Sequence, residues 1–263
     1  MTAGSALLAF DGSHIDGSLF TSITDLARDT RWLNGFVEWW TNVQLGVFAV
    51  LMVVGWWRAR RRDGAAMTLA LAVPVSVGVA FACAEVVKKI VAEQRPCRSL
   101  PHAFIVETCP VPNDYAFPSG HTTVAAASVA ALFLLDRRLS AIAVLFAVLE
   151  GFTRVYVGAH YPHDVIGSAL LALPVAYLTS LALRRLATPT VTRLRERLPI
   201  PLLVAADHRP SDREPARPAD PTHATHATPP AHATPSDHST PSERATRATQ
   251  SPPSHGPGRH ARR

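Results

Sequence analysis

Charged side chains are scarce in this sequence and are unevenly distributed. Asp, Glu, Lys and Arg make up only 17% of the 263 residues, whereas hydrophobic residues make up 48%. The charges crowd into the C-terminal tail and a few short clusters, which leaves long uncharged runs between them. This separation favours a membrane protein over a soluble one, because a soluble chain mixes the two classes along its length.

The N-terminus lacks the pattern of a cleavable signal peptide. The apolar stretch "SALLAF" is too short for the hydrophobic region of such a peptide, and no basic residue precedes it. We therefore expect the first membrane span to direct insertion itself.

Large apolar side chains are missing from residues 205–263. This segment is rich in proline and repeats a His-Ala-Thr unit. It cannot bury enough apolar surface to offset its ordering entropy, so it is predicted to be a disordered cytoplasmic tail. Weak metal binding by its histidines is the alternative to low-complexity drift.

Five apolar runs elsewhere in the chain have the composition of membrane helices, at about 38–57, 65–87, 121–135, 139–157 and 165–183. A helix rises about 1.5 Å per residue, so about 20 residues cross a hydrocarbon layer of roughly 30 Å. The third run is short and spans the layer only if the turn before it lies among the headgroups. The first run has a tryptophan pair at each end, as in an aromatic belt. The alternative is that these runs are buried helices of a soluble all-α protein. The presence of five such runs argues against it.

The fold predicted from these runs is an all-α, polytopic membrane helix bundle with flanking segments. The outer segment, 1–36, contains apolar residues at helical spacing over 15–35, which predicts a helix lying on the membrane surface. Residues 37–185 form the membrane-embedded core. Residues 186–204 form a basic juxtamembrane segment that is predicted to meet anionic lipid, and the tail follows.

Arginine clusters predict the orientation of the bundle. They follow the first span, join the third to the fourth and follow the fifth, so that alternating spans place them on one side: Arg58, Arg60, Arg61, Arg62, Arg137, Arg138, Arg184 and Arg185. By the positive-inside rule this side is cytoplasmic. The protein is then a multi-pass plasma-membrane protein with its tail inside. Lys88, Arg95 and Arg154 fall on the outer face and need a reason other than topology.

Three polar segments, "KKIVAEQRPCR", "FPSGH" and "TRVYVGAHYPHD", meet at one depth on this outer face. The first and third supply the cations Lys88, Arg95 and Arg154, and arginine binds phosphate oxygens through paired hydrogen bonds. In the second, Ser119 can cap a helix and Gly120 lets its N-terminus approach an anion. The three segments together predict a phosphate site.

Two histidines and a carboxylate accompany these cations. His160 and Asp164 are four residues apart, so that on a helix the carboxylate holds the imidazole in one tautomer. His121 is left for a different role. The set suits phosphoryl transfer through a covalent phosphohistidine. Each piece alone has an ordinary explanation as an interface anchor, a turn or a structural contact, but jointly and in this order they indicate a site.

The three segments resemble the signature of the type-2 phosphatidic acid phosphatase superfamily over roughly residues 85–170. The matching residues are Lys88-x6-Arg95-Pro96, Pro118-Ser119-Gly120-His121 and Arg154-x5-His160-x3-Asp164. Through "IDGSLFTSITDLA", the five spans and "RVYVGAHYPHDVIG", the chain is most similar to bacterial undecaprenyl-diphosphate phosphatases of the bacitracin-resistance type. One residue departs from the family pattern: the third motif usually begins with Ser-Arg, whereas here it begins with Thr153-Arg154. Threonine keeps the hydroxyl group of serine.

This resemblance implies a role for each residue. His160 would be the nucleophile, oriented by Asp164, and His121 would protonate the leaving oxygen and later help to activate water. His160 must then be neutral and His121 protonated. The phosphate would be held by Lys88, Arg95, Ser119, Gly120 and Arg154. Such enzymes need no metal, the sequence shows no obvious metal cage, and no cofactor is expected.

The implied function is hydrolysis of undecaprenyl diphosphate to the monophosphate at the outer leaflet. A phosphatidate or related glycerolipid phosphatase with the same site is the alternative. A non-catalytic lipid-phosphate binding or transport protein is an alternative of another class, and a broken catalytic set would distinguish it. The expected partners are the lipid substrate and membrane lipids, with no nucleic acid, while the oligomeric state stays open.

Several neighbouring residues are predicted to support this site. Glu150 lies one turn before Arg154, and Glu150 and Thr153 are expected to support Arg154 without contacting the phosphate. The Glu150 carboxylate is expected to pair with the guanidinium, because a lone buried carboxylate is costly in a membrane. Glu85 admits the same argument for Lys88. His163 matches no role and is expected to be an exposed interfacial residue.

Cysteine is rare, with three residues in the chain. Cys97 and Cys109 lie in a segment that is predicted to be outside the membrane, where thiols tend to be oxidised. We expect a disulfide between them, the alternative being two unrelated thiols. Cys83 lies within the second span and is expected to be free.

Overall fold

Helices form all the regular secondary structure in the residues that the structure, a computed structural model, describes: 10–198 and 201–204. In chain order they are α1 Ser13–Asp29, α2 Arg31–Val43, α3 Leu45–Ala59, α4 Gly64–Val91, α5 Pro96–Ser99, α6 Gly120–Leu135, α7 Arg137–Tyr156 and α8 Pro162–Arg197. The predicted all-α class is confirmed. The predicted disorder of the tail lies outside the described residues.

Four helical stretches are long and apolar enough to cross a membrane: Arg31–Ala59, Gly64–Ser99, Arg137–Tyr156 and Pro162–Arg197. A fifth apolar helix, α6, has only 16 residues, as the short third run predicted. The first span begins earlier than expected and is divided between α2 and α3. Gln44 lies at this division, where its buried side chain donates a hydrogen bond to the carbonyl of Phe146 on α7.

The surface helix predicted over 15–35 is shorter in the structure. It ends at Asp29, and Thr30 leads into α2, which continues into the first span. Phe20 of α1 packs against Tyr161, with ring centroids 5.2 Å apart, while Ile15 and Leu19 stay exposed. The helix therefore has one face on the bundle and one apolar face outside it, as an interfacial helix requires.

The basic segment 186–204 is partly helical and partly packed on the bundle, and its expected contact with anionic lipid stays a prediction. Helix α8 continues to Arg197 instead of ending near residue 185, and Arg195 Nη2 donates to the carbonyl of Arg60 at 3.3 Å. Trp56 Nε1 donates to the carbonyl of Leu202 at 2.9 Å, and the two residues that follow, Leu203 and Val204, are buried. The apolar end of this segment packs against α3.

Small residues let α4, α6 and α8 approach closely at the centre of the bundle. Their shared interface is built from Ala80, Ala126, Ala127, Ala130, Ala172 and Ala176. Ser76 and Ser180 add a hydrogen bond of 2.8 Å between α4 and α8. Membrane helices pack in this way because small side chains permit close backbone contact. The packing brings the first turns of α6 and α8 side by side.

The two ends of the bundle differ in charge and in sequence, as the alternating spans predict. At the arginine-rich end, Asp136 caps α7 and pairs with Arg58 at 2.9 Å. At the motif end lie the last turns of α4 and α7 and the first turns of α6 and α8, with Lys88, Ser119 and Arg154. The cytoplasmic assignment of the arginine-rich end stays a prediction.

A loop of residues 100–119 is fastened over the motif end. The predicted disulfide between Cys97 and Cys109 is present, with the Cα atoms 6.0 Å apart, and Cys83 is free. The amides of Val106 and Glu107 donate to the carbonyl of Val157, at 3.1 and 3.0 Å. These contacts hold the 100–119 loop against the turn between α7 and α8.

Candidate active site

The residues of the three predicted motifs meet at the motif end. Each occupies the end of an element: Lys88 the last turn of α4, Arg95 the N-cap of α5, Ser119 the N-cap of α6, Arg154 the last turn of α7 and Asp164 the first turn of α8. His160 lies in the turn between α7 and α8, where its amide donates to the carbonyl of Arg154 at 3.3 Å. Packing of the helices thus gathers residues that are far apart in sequence.

His160 is buried and presents one ring nitrogen to the cations. Its Nε2 lies 3.1 Å from Arg95 Nη1, and because arginine only donates, Nε2 accepts and the proton is assigned to Nδ1. Nδ1 faces Asp164 Oδ2 at 3.5 Å. Burial, together with the charges of Arg95, Arg154 and Lys88, holds the pKa of His160 well below its ordinary value. The imidazole is therefore neutral at physiological pH, as a nucleophile must be.

Asp164 is fully buried and connects the second and third motifs. Its Oδ2 accepts a hydrogen bond from the Tyr161 amide at 2.8 Å, which fixes the carboxylate at the start of α8. Its carbonyl accepts from the Ser168 hydroxyl, which in turn accepts from the Ser119 amide at 2.7 Å. The position of the carboxylate that faces His160 is therefore tied to the N-terminus of α6.

The N-terminus of α6 has the form that its sequence predicts. The Ser119 hydroxyl caps the helix, accepting from the Thr122 amide at 3.5 Å and from the Thr122 hydroxyl at 3.2 Å. Glycine fits at position 120 because a Cβ atom there would lie 3.3 Å from the ring of Phe81, which is closer than an ordinary van der Waals contact. His121, in the first turn, is half-buried and lies within electrostatic range of His160, Arg154 and Lys88. The second imidazole is thus near the first.

Arg154 is paired with a carboxylate that the sequence did not predict. Glu107, on the 100–119 loop, places its two oxygens 2.7 and 2.9 Å from Nη1 and Nη2 of Arg154. The Arg154 side chain is only 3% exposed, and its Nε makes no hydrogen bond within the described part of the chain. A buried N–H group without an acceptor is costly, so Nε is available for an anion.

Glu150 supports the helix rather than the guanidinium. The predicted pairing with Arg154 is replaced by the pairing with Glu107, and Glu150 Oε1 instead accepts from the Thr41 hydroxyl of α2 at 3.1 Å. The Thr153 hydroxyl donates to the Glu150 carbonyl at 2.9 Å and lies 3.2 Å from the Thr41 hydroxyl. The physical reason is that Thr41 meets this part of α7 within the bundle, whereas the head of Arg154 reaches the loop.

Arg95 and Lys88 share a second carboxylate of the loop, Asp114. Arg95 Nη2 lies 2.9 Å from Asp114 Oδ2, and Lys88 Nζ lies 3.7 Å from Oδ1. Arg95 also donates through Nη1 to the carbonyl of Ala159 at 3.0 Å. The expected pairing of Glu85 with Lys88 is present at 3.3 Å. All three predicted phosphate-binding cations therefore have a carboxylate of the 100–119 loop beside them.

His163 is not the exposed residue that the sequence predicted. Its ring is partly buried, with Nδ1 2.8 Å from Asp16 Oδ1 and Nε2 2.8 Å from Glu93 Oε1. The partners lie 147 and 70 positions away along the chain, so neither spacing nor periodicity could reveal them. The one sequence signal is that Glu93 stands two residues before Arg95 in the first motif.

Glu93, His163 and Asp164 also form a group whose ligand atoms lie within 4.8 Å of one another, as a metal site would require. Imidazole nitrogen and carboxylate oxygen are both ligands of divalent ions. The group lies on the far side of Asp164 from the phosphate-binding cations. The expectation that the chemistry needs no metal stays a prediction.

An apolar groove runs along α6, α7 and α8, away from the site. Its first part, a cavity of about 420 Å³, is lined at one end by Thr122, Gly151 and Val165, of which Thr122 follows His121 directly and Val165 follows Asp164. A second cavity of about 500 Å³ shares Val129, Val144 and Leu173 with the first and continues to Phe133 and Leu178. The groove can therefore hold an extended hydrocarbon chain whose head lies at the motif end.

Residues 69–187 match the family model of the PAP2 superfamily, and this range contains every predicted catalytic and phosphate-binding residue. The chain carries a PAP2 superfamily domain. The superfamily that the three motifs predicted is therefore confirmed.

Three relatives of the domain are lipid-phosphate enzymes by name. The chain is 29% identical over 138 residues to the undecaprenyl-diphosphatase of Sulfolobus acidocaldarius, covering 52% of this chain and 62% of the relative. It is 39% identical over 82 residues to the undecaprenyl-diphosphatase BcrC of Bacillus subtilis, covering 30% and 42%. It is 41% identical over 70 residues to the lipid A 1-phosphatase of Rhizobium johnstonii, covering 27% and 29%. The matches span less than two thirds of each of these three relatives, and no solved structure matches the chain significantly.

Proposed function

We propose that this protein is a membrane phosphatase that hydrolyses undecaprenyl diphosphate to the monophosphate through a phosphohistidine. The observation that carries this proposal is the arrangement around His160: a neutral, buried imidazole lies between a fixed carboxylate on one side and Arg95 on the other. Arg154 and Lys88 complete a set of cations at the same end of the bundle, and His121 supplies a second imidazole.

In the first step, Nε2 of His160 attacks the terminal phosphorus and the bond from phosphorus to the bridging oxygen breaks. His121 gives a proton to that leaving oxygen, so the monophosphate leaves without an added negative charge. Asp164 Oδ2, 3.5 Å from Nδ1 of His160, stabilises the positive charge that forms on the ring. Before the attack, the phosphate has to take over the hydrogen bond that Arg95 Nη1 makes to Nε2.

In the second step, water attacks the phosphohistidine and His121 takes its proton. The bond between phosphorus and Nε2 breaks, which releases inorganic phosphate and restores the neutral imidazole. Lys88, Arg95 and Arg154 balance the charge of the phosphate in both steps, and the free amides at the start of α6 add to them. We propose that these groups do so without a metal ion.

The groove along α6, α7 and α8 supports a lipid substrate. Its walls are almost entirely apolar, and its end beside Thr122 places the head of a bound chain near His121. A long prenyl chain fits the successive cavities better than a short soluble substrate does. Charge supports the orientation: with the arginine-rich end in the cytoplasm, the site lies at the extracytoplasmic face of the plasma membrane.

A glycolipid or glycerolipid monophosphatase is the second candidate. It is favoured by the 41% identity to a lipid A 1-phosphatase over 70 residues, because the motifs contact the phosphate and not the lipid. A non-catalytic lipid-phosphate binding protein is disfavoured by the complete set of His121, His160 and Asp164.

The test is phosphate release by the purified full chain in detergent, measured with undecaprenyl diphosphate and with phosphatidate. We expect release from the diphosphate, its loss in His160→Ala and its retention in His102→Ala, a variant of an exposed loop histidine. Release that survives in His160→Ala would refute the nucleophile, and a folded wild type that releases phosphate from neither lipid would refute the function. His121→Ala is expected still to form phosphohistidine from a substrate with a good leaving group.

A further inference from the structure

The proposed reaction gives no role to His163, which lies among three carboxylates. Its Nδ1 is 2.8 Å from Asp16 Oδ1, and its Nε2 is 2.8 Å from Glu93 Oε1 and 3.6 Å from Asp164 Oδ1. The backbone amide of His163 also donates to Asp16 Oδ2 at 2.7 Å. The three carboxylates come from α1, from the chain after α4 and from α8, so this one ring joins three elements.

The contacts determine the charge of the ring. With ionised carboxylates on both sides, which can only accept hydrogen bonds, both ring nitrogens donate and His163 is an imidazolium. Glu93 and Asp164 are both almost fully buried. Two buried carboxylates so close together are costly unless a cation lies beside them, and His163 is positioned to be that cation.

Asp164 connects this ring to His160. Its Oδ2 accepts from the Tyr161 amide and faces Nδ1 of His160, whereas its Oδ1 makes no hydrogen bond of good geometry to any described residue and has Nε2 of His163 at 3.6 Å. The imidazolium thus balances the oxygen that His160 does not use. Without it, Asp164 would lie beside the buried carboxylate of Glu93, with Arg95 as a cation within electrostatic range.

Aromatic rings fix the plane of His163. Tyr161 stacks on it with the centroids 5.3 Å apart and the planes 13° apart, and Phe117 lies on it at 6.5 Å and 22°. Both rings belong to segments that carry motif residues, since Phe117 comes two residues before Ser119 and Tyr161 follows His160. A ring held in this way keeps its two nitrogens aimed at Asp16 and Glu93.

We propose that His163 is a positioning residue of the site: as an imidazolium that donates to Glu93 and Asp16, it balances the carboxylates packed against Asp164 behind His160, and it ties α1 to the site through Asp16. This inference rests on the proposed function, because it assigns to His163 a role in the hydrolysis. It also makes the interfacial helix α1 part of the catalytic architecture.

The first experiment compares His163→Asn, which removes the charge, with His163→Lys, which keeps it. We expect His163→Asn to lower kcat about 10- to 100-fold, in the range found when partners that orient a reacting group are removed. KM should change less than about threefold, because the phosphate-binding cations are untouched. His163→Lys should recover a large part of kcat. A matched change, His102→Asn, should leave both constants unchanged.

The second experiment does not depend on activity. Nitrogen-15 NMR of the full chain labelled at histidine, with the His163 signals assigned by their loss in His163→Asn, should show both ring nitrogens protonated at pH 7. A neutral His163 ring would overturn the inference whether or not the protein is a phosphatase. A change of these signals on adding a chelator would overturn it as well, because a metal ion would then balance the carboxylates.

The two sets of results separate the failures. A wild type that hydrolyses neither lipid refutes the proposed function. A wild type that does hydrolyse lipid, together with a His163→Asn variant of unchanged kcat, refutes only the inference. A loss in His163→Asn that His163→Lys does not recover also refutes it, because the ring would then serve packing and not charge.

Discussion

Asp114→Asn is expected to strengthen phosphate binding. Asp114 Oδ2 lies 2.9 Å from Arg95 Nη2, and Oδ1 lies 3.7 Å from Lys88 Nζ, so this carboxylate lies where it competes with a phosphate for two cations. Asparagine keeps an oxygen that accepts from Arg95, and it removes the negative charge. The substitution therefore separates competition for the cations from their positioning.

The expected size follows from the exposure of the pair. Arg95 is 7% exposed and Asp114 is 38% exposed, so the pair is partly screened by solvent. A hydrogen bond between charged groups contributes about 1.5–3 kcal/mol when buried and well under that at a surface, which leaves about 1 kcal/mol here. Removing this competition should lower the inhibition constant of inorganic phosphate about fivefold.

The measurement is inhibition by inorganic phosphate of the hydrolysis of a short-chain lipid phosphate, in detergent and at fixed ionic strength, because salt screens such charges. Glu107→Gln should act in the same direction through Arg154. Asp25→Asn is the matched control, since Asp25 pairs with Arg28 on the exposed side of α1. An unchanged or higher inhibition constant in Asp114→Asn would show that Asp114 orients Arg95 and does not compete with phosphate.

Three further predictions concern metal, the loop and the groove. Hydrolysis of a soluble short-chain substrate should persist in excess chelator, because Lys88, Arg95 and Arg154 supply the positive charge; loss restored by one divalent ion would contradict this. Replacing both Cys97 and Cys109 by serine should lower the free energy of unfolding by up to about 3 kcal/mol in thermal or denaturant unfolding, and free thiols at both positions in protein from intact membranes would contradict the bridge. Val144→Phe, which narrows the groove where its two parts meet, should lower kcat/KM for a long-chain lipid and not for a short-chain one, so equal losses on both would argue against the groove.

The membrane core was predictable because the sequence patterns that indicate it are local, or follow from the alternating direction of successive membrane spans. Apolar runs gave the helices, and the caps at Asp63 and Ser119 begin α4 and α6 as their residue types favour. Alternating spans brought the three motifs to one end. The predicted end of the last helix failed because packing there outweighs composition. Helix α8 runs beyond residue 185 because its last turns pack beside α3 and α4, and a window of sequence does not show this packing.

The partners of the motif residues were less predictable than the residues themselves. Glu107 and Asp114 lie in a loop with no regular structure, and its path over the motif end depends on the disulfide and on hydrogen bonds to Val157. Glu150 was a reasonable partner for Arg154 by spacing, since residues four apart share a helix face. Thr41 of α2 takes up Glu150 instead, and helix spacing carries no information about a neighbouring helix.

The charges of the site explain why these extra carboxylates are needed. Arg95 and Arg154 are buried, and a buried cation without a counter-ion is costly, so a site built from the motif cations alone would be unfavourable whenever no phosphate is bound. Glu107 and Asp114 balance Arg154, Arg95 and Lys88 in the resting protein, and the loop that carries them is covalently closed. On the other side of Asp164, His163 reverses the arrangement, since there a cation balances buried carboxylates. Charge balance thus depends on both sides of the His160–Asp164 pair, and most of the residues that provide it lie outside the motifs.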